Sequence, residues 1–152
     1  TYDTWRRLEE RYGITVDVYQ GLSLARQEVL HGERLWERDP NACCDLRKVA
    51  PLKAALATVD CWVTGIRRDQ SPTRAATPKL HWDERHGLWK ANPLADWSEK
   101  DVWRYIAAHD VPYNPLHDQG YESIGCTHCT VPGRGREGRW QGHGKTECGL
   151  HC

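Results

Sequence analysis

Residues 59–74 read VDCWVTGIRRDQSPTR. Val59 to Ile66 is a short apolar run of the kind that forms a buried strand, and Cys61 within it is assigned to the core. The run passes directly into a polar loop carrying Arg67, Arg68 and Arg74. A strand that ends in a basic loop is where α/β proteins place their ligands. Upstream, residues 1–13 predict a helix that Asp3 or Thr4 caps and Gly13 ends. Ile14 to Tyr19 alternates as a strand, Leu22 to His31 forms a second helix, and 35–42 is a loop containing Pro40. Asn41 then caps a short helix with Cys43, Cys44 and Lys48, and Pro51 opens another turn to Ala57. Downstream, Lys79 to Asp83 and Leu88 to Asn92 form an edge hairpin. Ser98 caps a helix to about His109, with Asp101 at N3 and Trp97 and Val102 as a staple. Residues 111–121 are too rich in Pro and Gly for regular structure. Alternation of helices and strands predicts an α/β layered domain.

The 152 residues suffice for one domain with a real core. Twenty-one basic residues balance 21 acidic ones, which argues against a general nucleic-acid binder but allows a local cationic pocket. No apolar run reaches the length of a membrane span, and no signal peptide is visible. Seven cysteines are too sparse for a disulfide scaffold and odd in number, so metal-binding and catalytic thiols in a reducing, cytoplasmic setting fit better. The chain has no Met, as a processed protein or a fragment would. It has no Phe but eight Trp, so Trp, Leu and Val must fill the core.

Chemistry concentrates in residues 123–152, SIGCTHCTVPGRGREGRWQGHGKTECGLHC. Cys126 and Cys129 form a C-x-x-C, and Cys43 and Cys44 are adjacent. Adjacent cysteines do not easily aim both sulfurs at one ion, whereas a [4Fe–4S] cubane takes one thiolate per iron. A structural zinc and unliganded buried thiols are the other readings of the four. Cys148 lies among His143, Lys145 and His151, cations that would lower its pKa and make it a nucleophile; the alternative is an inert thiol on a terminal tail. Cys152 is placed to resolve Cys148 as a disulfide. Arg67, Arg68 and Arg74 form either a solvated turn or, with Arg134, Arg136 and Arg139, an anion clamp. His31, His81, His86 and His109 show no chemical partners, and His128 inside the C-x-x-C is superfluous beside four cysteines.

Together CCDLRKVAPL, WVTGIRRDQSPTR, PLADWS, VPYNPLHDQGYESIGCTHCT, GRW and KTECGLH resemble the assimilatory adenylyl-sulfate reductases, relatives of the phosphoadenylyl-sulfate reductases. The resemblance implies a Rossmann-like α/β fold of the adenine-nucleotide alpha-hydrolase (PP-loop) type, with an iron–sulfur site and a mobile C-terminal tail. It implies one domain, with 1–122 as body and 123–152 as cluster loop, Arg segment and catalytic tail. It implies [4Fe–4S] ligation by Cys43, Cys44, Cys126 and Cys129, with Cys148 as nucleophile. Lys48 would lie between cluster and substrate, and Arg136, Arg139 and His151 would bind substrate and order the tail, alongside Arg67, Arg68 and Arg74. The implied activity is thioredoxin-dependent reduction of adenylyl sulfate to sulfite and AMP through an S-sulfocysteine. A glutaredoxin-like donor, a homo-oligomer and phosphoadenylyl or dual substrates are further options. A non-catalytic zinc module is the reading from another class.

One departure bears on these expectations. The family's SGGKDS-like phosphate loop, which follows its first strand, has no counterpart here. The sequence therefore resembles a C-terminal portion, expected to bind nucleotide poorly alone.

Overall fold

The computed structural model describes residues 1–151, and Cys152 with its suggested resolving role lies outside them. Helix α1 (Tyr2–Tyr12) begins after Thr1, earlier than the caps expected at Asp3 or Thr4, and ends at Gly13. Arg11 ties it to a distant part of the sequence, donating to Asp110 at 3.2 Å and to the His109 carbonyl at 2.6 Å. Residues 14–19 follow without a ladder. Ile14, Val16, Val18 and Tyr19 are all exposed, so the strand expected there does not form. Alternation specifies a face, but a strand also needs a neighbouring edge to pair with.

Helix α2 (Leu24–His31) has Ser23 as its cap. The predicted loop at 35–42 is instead a short helix α3 (Leu35–Arg38) followed by α4 (Pro40–Cys44). Asp39, not Asn41, caps α4, accepting from the backbone N–H groups of Asn41 and Ala42 at 3.1 and 2.9 Å. Pro40 then sits at the first helical position, where its missing N–H costs nothing. The helical run continues as one π-turn, Asp45–Val49, and then α5 (Ala50–Leu56). Single π-turns inside α-helices occur frequently at functional sites. This one carries Lys48 just beyond the paired cysteines.

The sheet has three strands in the order β1-β3-β2. The hairpin of β2 (Leu80–Asp83) and β3 (Leu88–Ala91) forms where expected, with Trp82 opposite Trp89. Strand β1 (Cys61–Val63) pairs parallel to β3, Cys61 opposite Trp89, and is much shorter than the predicted 59–66. Cys61 and Val63 alternate with the half-buried Trp62 and so lie on the exposed face of β1. Cys61 is exposed, which corrects its assignment to the core. Beyond β1 the chain stays anchored: Thr64 donates its N–H to the Ala91 carbonyl at 2.9 Å and its hydroxyl to Asn92 at 2.6 Å. Asn92, fully buried, donates in turn to the Pro78 carbonyl. This knot fixes the point from which the arginine loop departs.

Helix α6 (Glu99–His109) has the expected capping box, Ser98 and Asp101 each bonding the other's backbone N–H. Residues 130–139 then fold into an irregular hairpin. Val131 N–H bonds Gly138 O at 2.9 Å, and Trp140 N–H bonds Cys129 O at 3.0 Å. The core is small, and its members include Leu35, Val49, Leu56, Ile66 and Leu88. Of the eight tryptophans expected to fill it, only Trp140 is fully buried; Trp82 and Trp89 are exposed.

Candidate functional site

The hairpin at 130–139 brings the C-x-x-C against the end of α4. Cys43, Cys44, Cys126 and Cys129 line one small cavity together with Trp36, Arg47, Lys48, His128 and Trp140. The rings of Trp36 and His128 stack at 4.2 Å beside it. Among the described residues, no three His, Cys, Asp or Glu side chains stand close enough to hold a single metal ion. The structure therefore brings the four expected ligands to one cavity without closing them into a ligand shell.

Electrostatics couples these thiols. Burial pushes the Cys44 thiol above its ordinary value; Lys48 and Lys145 oppose the shift, and Cys148 and Cys43 add to it. Burial likewise raises Cys129, reinforced by Cys126, Cys44 and Cys43. Cys44 and Cys129, whose thiols resist ionising where they lie, suit a thiophilic metal group whose positive charge stabilises the thiolates.

Cys148 packs against Cys44 and Trp140, with Cys129 and Leu150 alongside. It is 9 % exposed, so the expected tail nucleophile is buried here. Gly149 follows at φ 87°, a left-handed conformation that turns the chain back after Cys148. Arg85 holds this turn by donating to the Gly149 carbonyl at 3.0 Å. His151 stacks on Trp62 at 5.0 Å, and Lys90 lies 4.4 Å above the same ring. Burial, then the charges of Lys90 and Arg74, lower the His151 pKa to about 4. Lys145 hydrogen-bonds Asn41 and lies 5.5 Å from the Trp140 ring.

The arginines divide. Arg74 meets the Glu147 carboxylate with two bonds, Nε to Oε1 at 2.9 Å and Nη2 to Oε2 at 2.7 Å. Arg136 donates to the same Oε2 at 3.1 Å and to the Thr146 carbonyl at 2.7 and 3.1 Å. Burial opposes ionisation of Glu147, but the bonds and charge of Arg74 and then the charge of Arg136 outweigh it and lower the carboxyl. Arg67 pairs with Asp69 and lines a neighbouring cavity that Arg136 shares with Ser123, His117 and Glu122. Arg68 lies apart from the clamp, bonded to Asp96 and the Thr77 carbonyl. Arg139 is buried over Trp140, 4.3 Å from the ring, and donates to Ser123 and to the Ile124 carbonyl. A side chain at Gly125 would collide with that guanidinium, so the glycine permits Arg139 to brace the C-x-x-C loop.

Glu147 was not among the residues singled out from sequence, nor were Ser71 and Thr73, whose hydroxyls reach its Oε1 at 3.4 and 3.3 Å. A signal existed: clustered arginines call for a carboxylate partner within the chain, and one adjoins Cys148.

The family profile described as "Phosphoadenosine phosphosulfate reductase domain" matches residues 1–132. A Salinibacter ruber protein named adenosine 5'-phosphosulfate reductase is 52 % identical, covering 99 % of this chain and 62 % of that protein. A Gloeobacter violaceus phosphoadenosine 5'-phosphosulfate reductase is 52 % identical over 86 % of this chain and 57 % of its own length. The crystal structure of phosphoadenylyl-sulfate reductase from Candida auris, a phosphate complex, superposes with a TM-score of 0.73 at 36 % identity, covering 86 % of this chain and 64 % of that one. The chain thus spans roughly three fifths of these relatives' length.

Proposed function

The chain belongs to the phosphoadenosine phosphosulfate reductase family, and on that premise we propose that it acts in the reduction of adenylyl sulfate to sulfite and AMP, with thioredoxin or a glutaredoxin-like protein as thiol donor. The observation that carries this reading is the placement of Cys148, next to Glu147 in its two-arginine clamp and packed against Cys44 of the four-cysteine cavity.

In the proposed reaction the Cys148 thiolate attacks the sulfur of adenylyl sulfate. A sulfur–sulfur bond forms, the sulfur–oxygen bond to phosphate breaks, and AMP leaves with the electron pair. A thiolate of the donor protein then attacks Cys148 Sγ, sulfite departs with the electron pair of the broken bond, and a second donor thiol resolves the mixed disulfide. Guanidinium forks of Arg74 and Arg136 suit the sulfo and phosphate oxygens, and their charge would stabilise the leaving phosphate. Lys48 and Lys145, both near enough to Cys44 to affect its ionisation, place positive charge beside the nucleophile's pocket. Cys43, Cys44, Cys126 and Cys129 are the residues that would hold a [4Fe–4S] cluster, supplying order and electrostatic influence rather than a route for electrons. The adjacent pair suits this group because each thiolate can serve a different iron.

A second reading has specific support. The Gloeobacter relative at 52 % identity and the Candida structure at 36 % carry the phosphoadenosine or phosphoadenylyl name, so the 3′-phosphorylated nucleotide is the alternative substrate. Competition between the two nucleotides decides the preference, and the cysteine set favours adenylyl sulfate. The reaction itself is tested by mixing the chain with adenylyl sulfate at high concentration, without thiol donor, and mapping peptides by mass spectrometry. One added sulfonate on Cys148 is expected. The same adduct on Cys152 or Cys61 would overturn the assignment.

A further inference from the structure

The proposed nucleophile lies packed away from the surface in this structure. Cys148 is 9 % exposed, packed between Cys44 and Trp140, and lines none of the cavities described above. What seats it there is the preceding residue. Glu147 receives the Arg74 fork through both carboxylate oxygens, takes a third bond from Arg136, and meets the hydroxyls of Ser71 and Thr73. The three charged side chains are between 10 and 17 % exposed, so the contact is desolvated and weakly screened. Gln70 holds Arg74 from the other side through Nη1 at 2.6 Å, and the Thr146 carbonyl holds Arg136. Two fixed guanidiniums, a pair of hydroxyls and a planar oxyanion between them make a complete anion site whose occupant belongs to the tail itself.

We propose that Glu147 is a positioning residue that occupies the Arg74–Arg136 clamp in place of a substrate oxyanion, and that exchange of its carboxylate for a sulfo or phosphate group releases Cys148 to reach the sulfur. The proposal rests on the sulfonucleotide reading for the identity of the incoming anion. A clamp that binds two anions one at a time links substrate arrival to thiol exposure, because any ligand that prefers the open arrangement shifts the population toward it. It also keeps the thiol sheltered when no substrate is bound. Arg85 and the His151–Trp62 stack hold the remainder of the tail, so loss of the Glu147 contact would free the Cys148 turn without discarding the whole segment.

The test uses inorganic sulfate as probe and pulse alkylation of the purified chain, prepared without oxygen, as readout. Cleavage after Lys145 yields a peptide with both Cys148 and Cys152, and fragment spectra separate them. Sulfate is expected to raise Cys148 labelling about tenfold, while sodium chloride at equal ionic strength does not; a factor of ten is about 1.4 kcal/mol. Glu147→Gln should label about tenfold faster without sulfate and respond little to it. Glu147→Asp, which keeps the charge, should start between the two and retain the response. Labelling of buried Cys43 reports global unfolding. If Glu147→Gln exposes Cys43 along with Cys148, the wild-type and Glu147→Asp titrations decide. An unchanged Cys148 rate in sulfate, an equal rise in chloride, or wild-type labelling by a folded Glu147→Gln protein would each overturn the proposal. Failure of sulfonate transfer to Cys148 with the sulfate response intact would instead refute the reductase reading and leave the exchange standing.

Discussion

Glu147 and His151 flank Cys148 and hold the tail by opposite physics, one through charge and one through its absence. His151 is half-buried against Trp62, with Lys90, Arg74 and Arg136 near it and Glu147 opposing their charge. Its pKa falls from 6.5 to about 4, so the folded chain binds fewer protons there than the unfolded chain. Its contribution to stability is therefore complete above pH 6.5 and is lost as pH falls toward 4. Urea midpoints should decline across that window, and His151→Phe, which keeps an aromatic ring on Trp62, should flatten the decline. An unchanged slope in that variant would assign the effect to other groups. The lowered carboxyls of Glu147 and Asp83 act at still lower pH, where their loss adds to the decline. For Cys148 itself, Cys148→Ser should abolish the sulfonate adduct and leave iron content and fold unchanged, because a hydroxyl without an adjacent base is a far poorer nucleophile. A sulfonated Cys148→Ser protein would place the nucleophile elsewhere.

Local chemistry made some elements legible and hid others. The capping box of α6 could be read from Ser98 and Asp101 because both partners lie within four residues of each other. The hairpin at β2 and β3 was readable for the same reason. Cys61 and the 14–19 segment were misread because their burial depends on what covers an edge, which no local pattern encodes. The candidate site divides in the same way. Motif spacing pointed to the four cysteines and Cys148, while the Arg74–Glu147 pair spans 73 residues and required the fold. Asp39 lies between these cases, a local cap overlooked because Pro40 suggested a loop. Since Asp39 starts the helix that presents Cys43 and Cys44, Asp39→Ala should cost about 1 kcal/mol. It should also weaken iron retention, measured as iron per chain after gel filtration. Full iron retention alongside the expected loss of stability would show that the cap does not set the cysteine geometry.

At the scale of the molecule, the cysteine cavity is a join between distant parts of the chain. Cys43 and Cys44 end α4, while Cys126 and Cys129 follow α6 and the whole sheet. The buried contacts there are few: Cys44, Trp140 and Cys148 form a small cluster with Cys129 and Leu150 at its margin. So small a core makes a metal crosslink valuable, because binding energy at a site absent from the unfolded chain is folding energy. The proposed [4Fe–4S] group therefore predicts both a composition and a stability effect. Anaerobically purified chain should contain iron and labile sulfide in equal amounts, four of each per cluster, with the broad visible absorption of a cubane. Zinc without sulfide would favour the structural-zinc alternative. Removing the metal with a chelator should lower the thermal midpoint by at least about 5 °C, given roughly 4 °C per kcal/mol for a domain of this size. Cys126→Ser should reproduce much of that shift even without chelator, since a cluster with three thiolates is held less tightly. Cys61→Ser, at an exposed edge position, should change neither iron content nor midpoint. Equal midpoints for the metal-loaded and metal-free chain would mean that the cavity holds its cysteines together by packing alone.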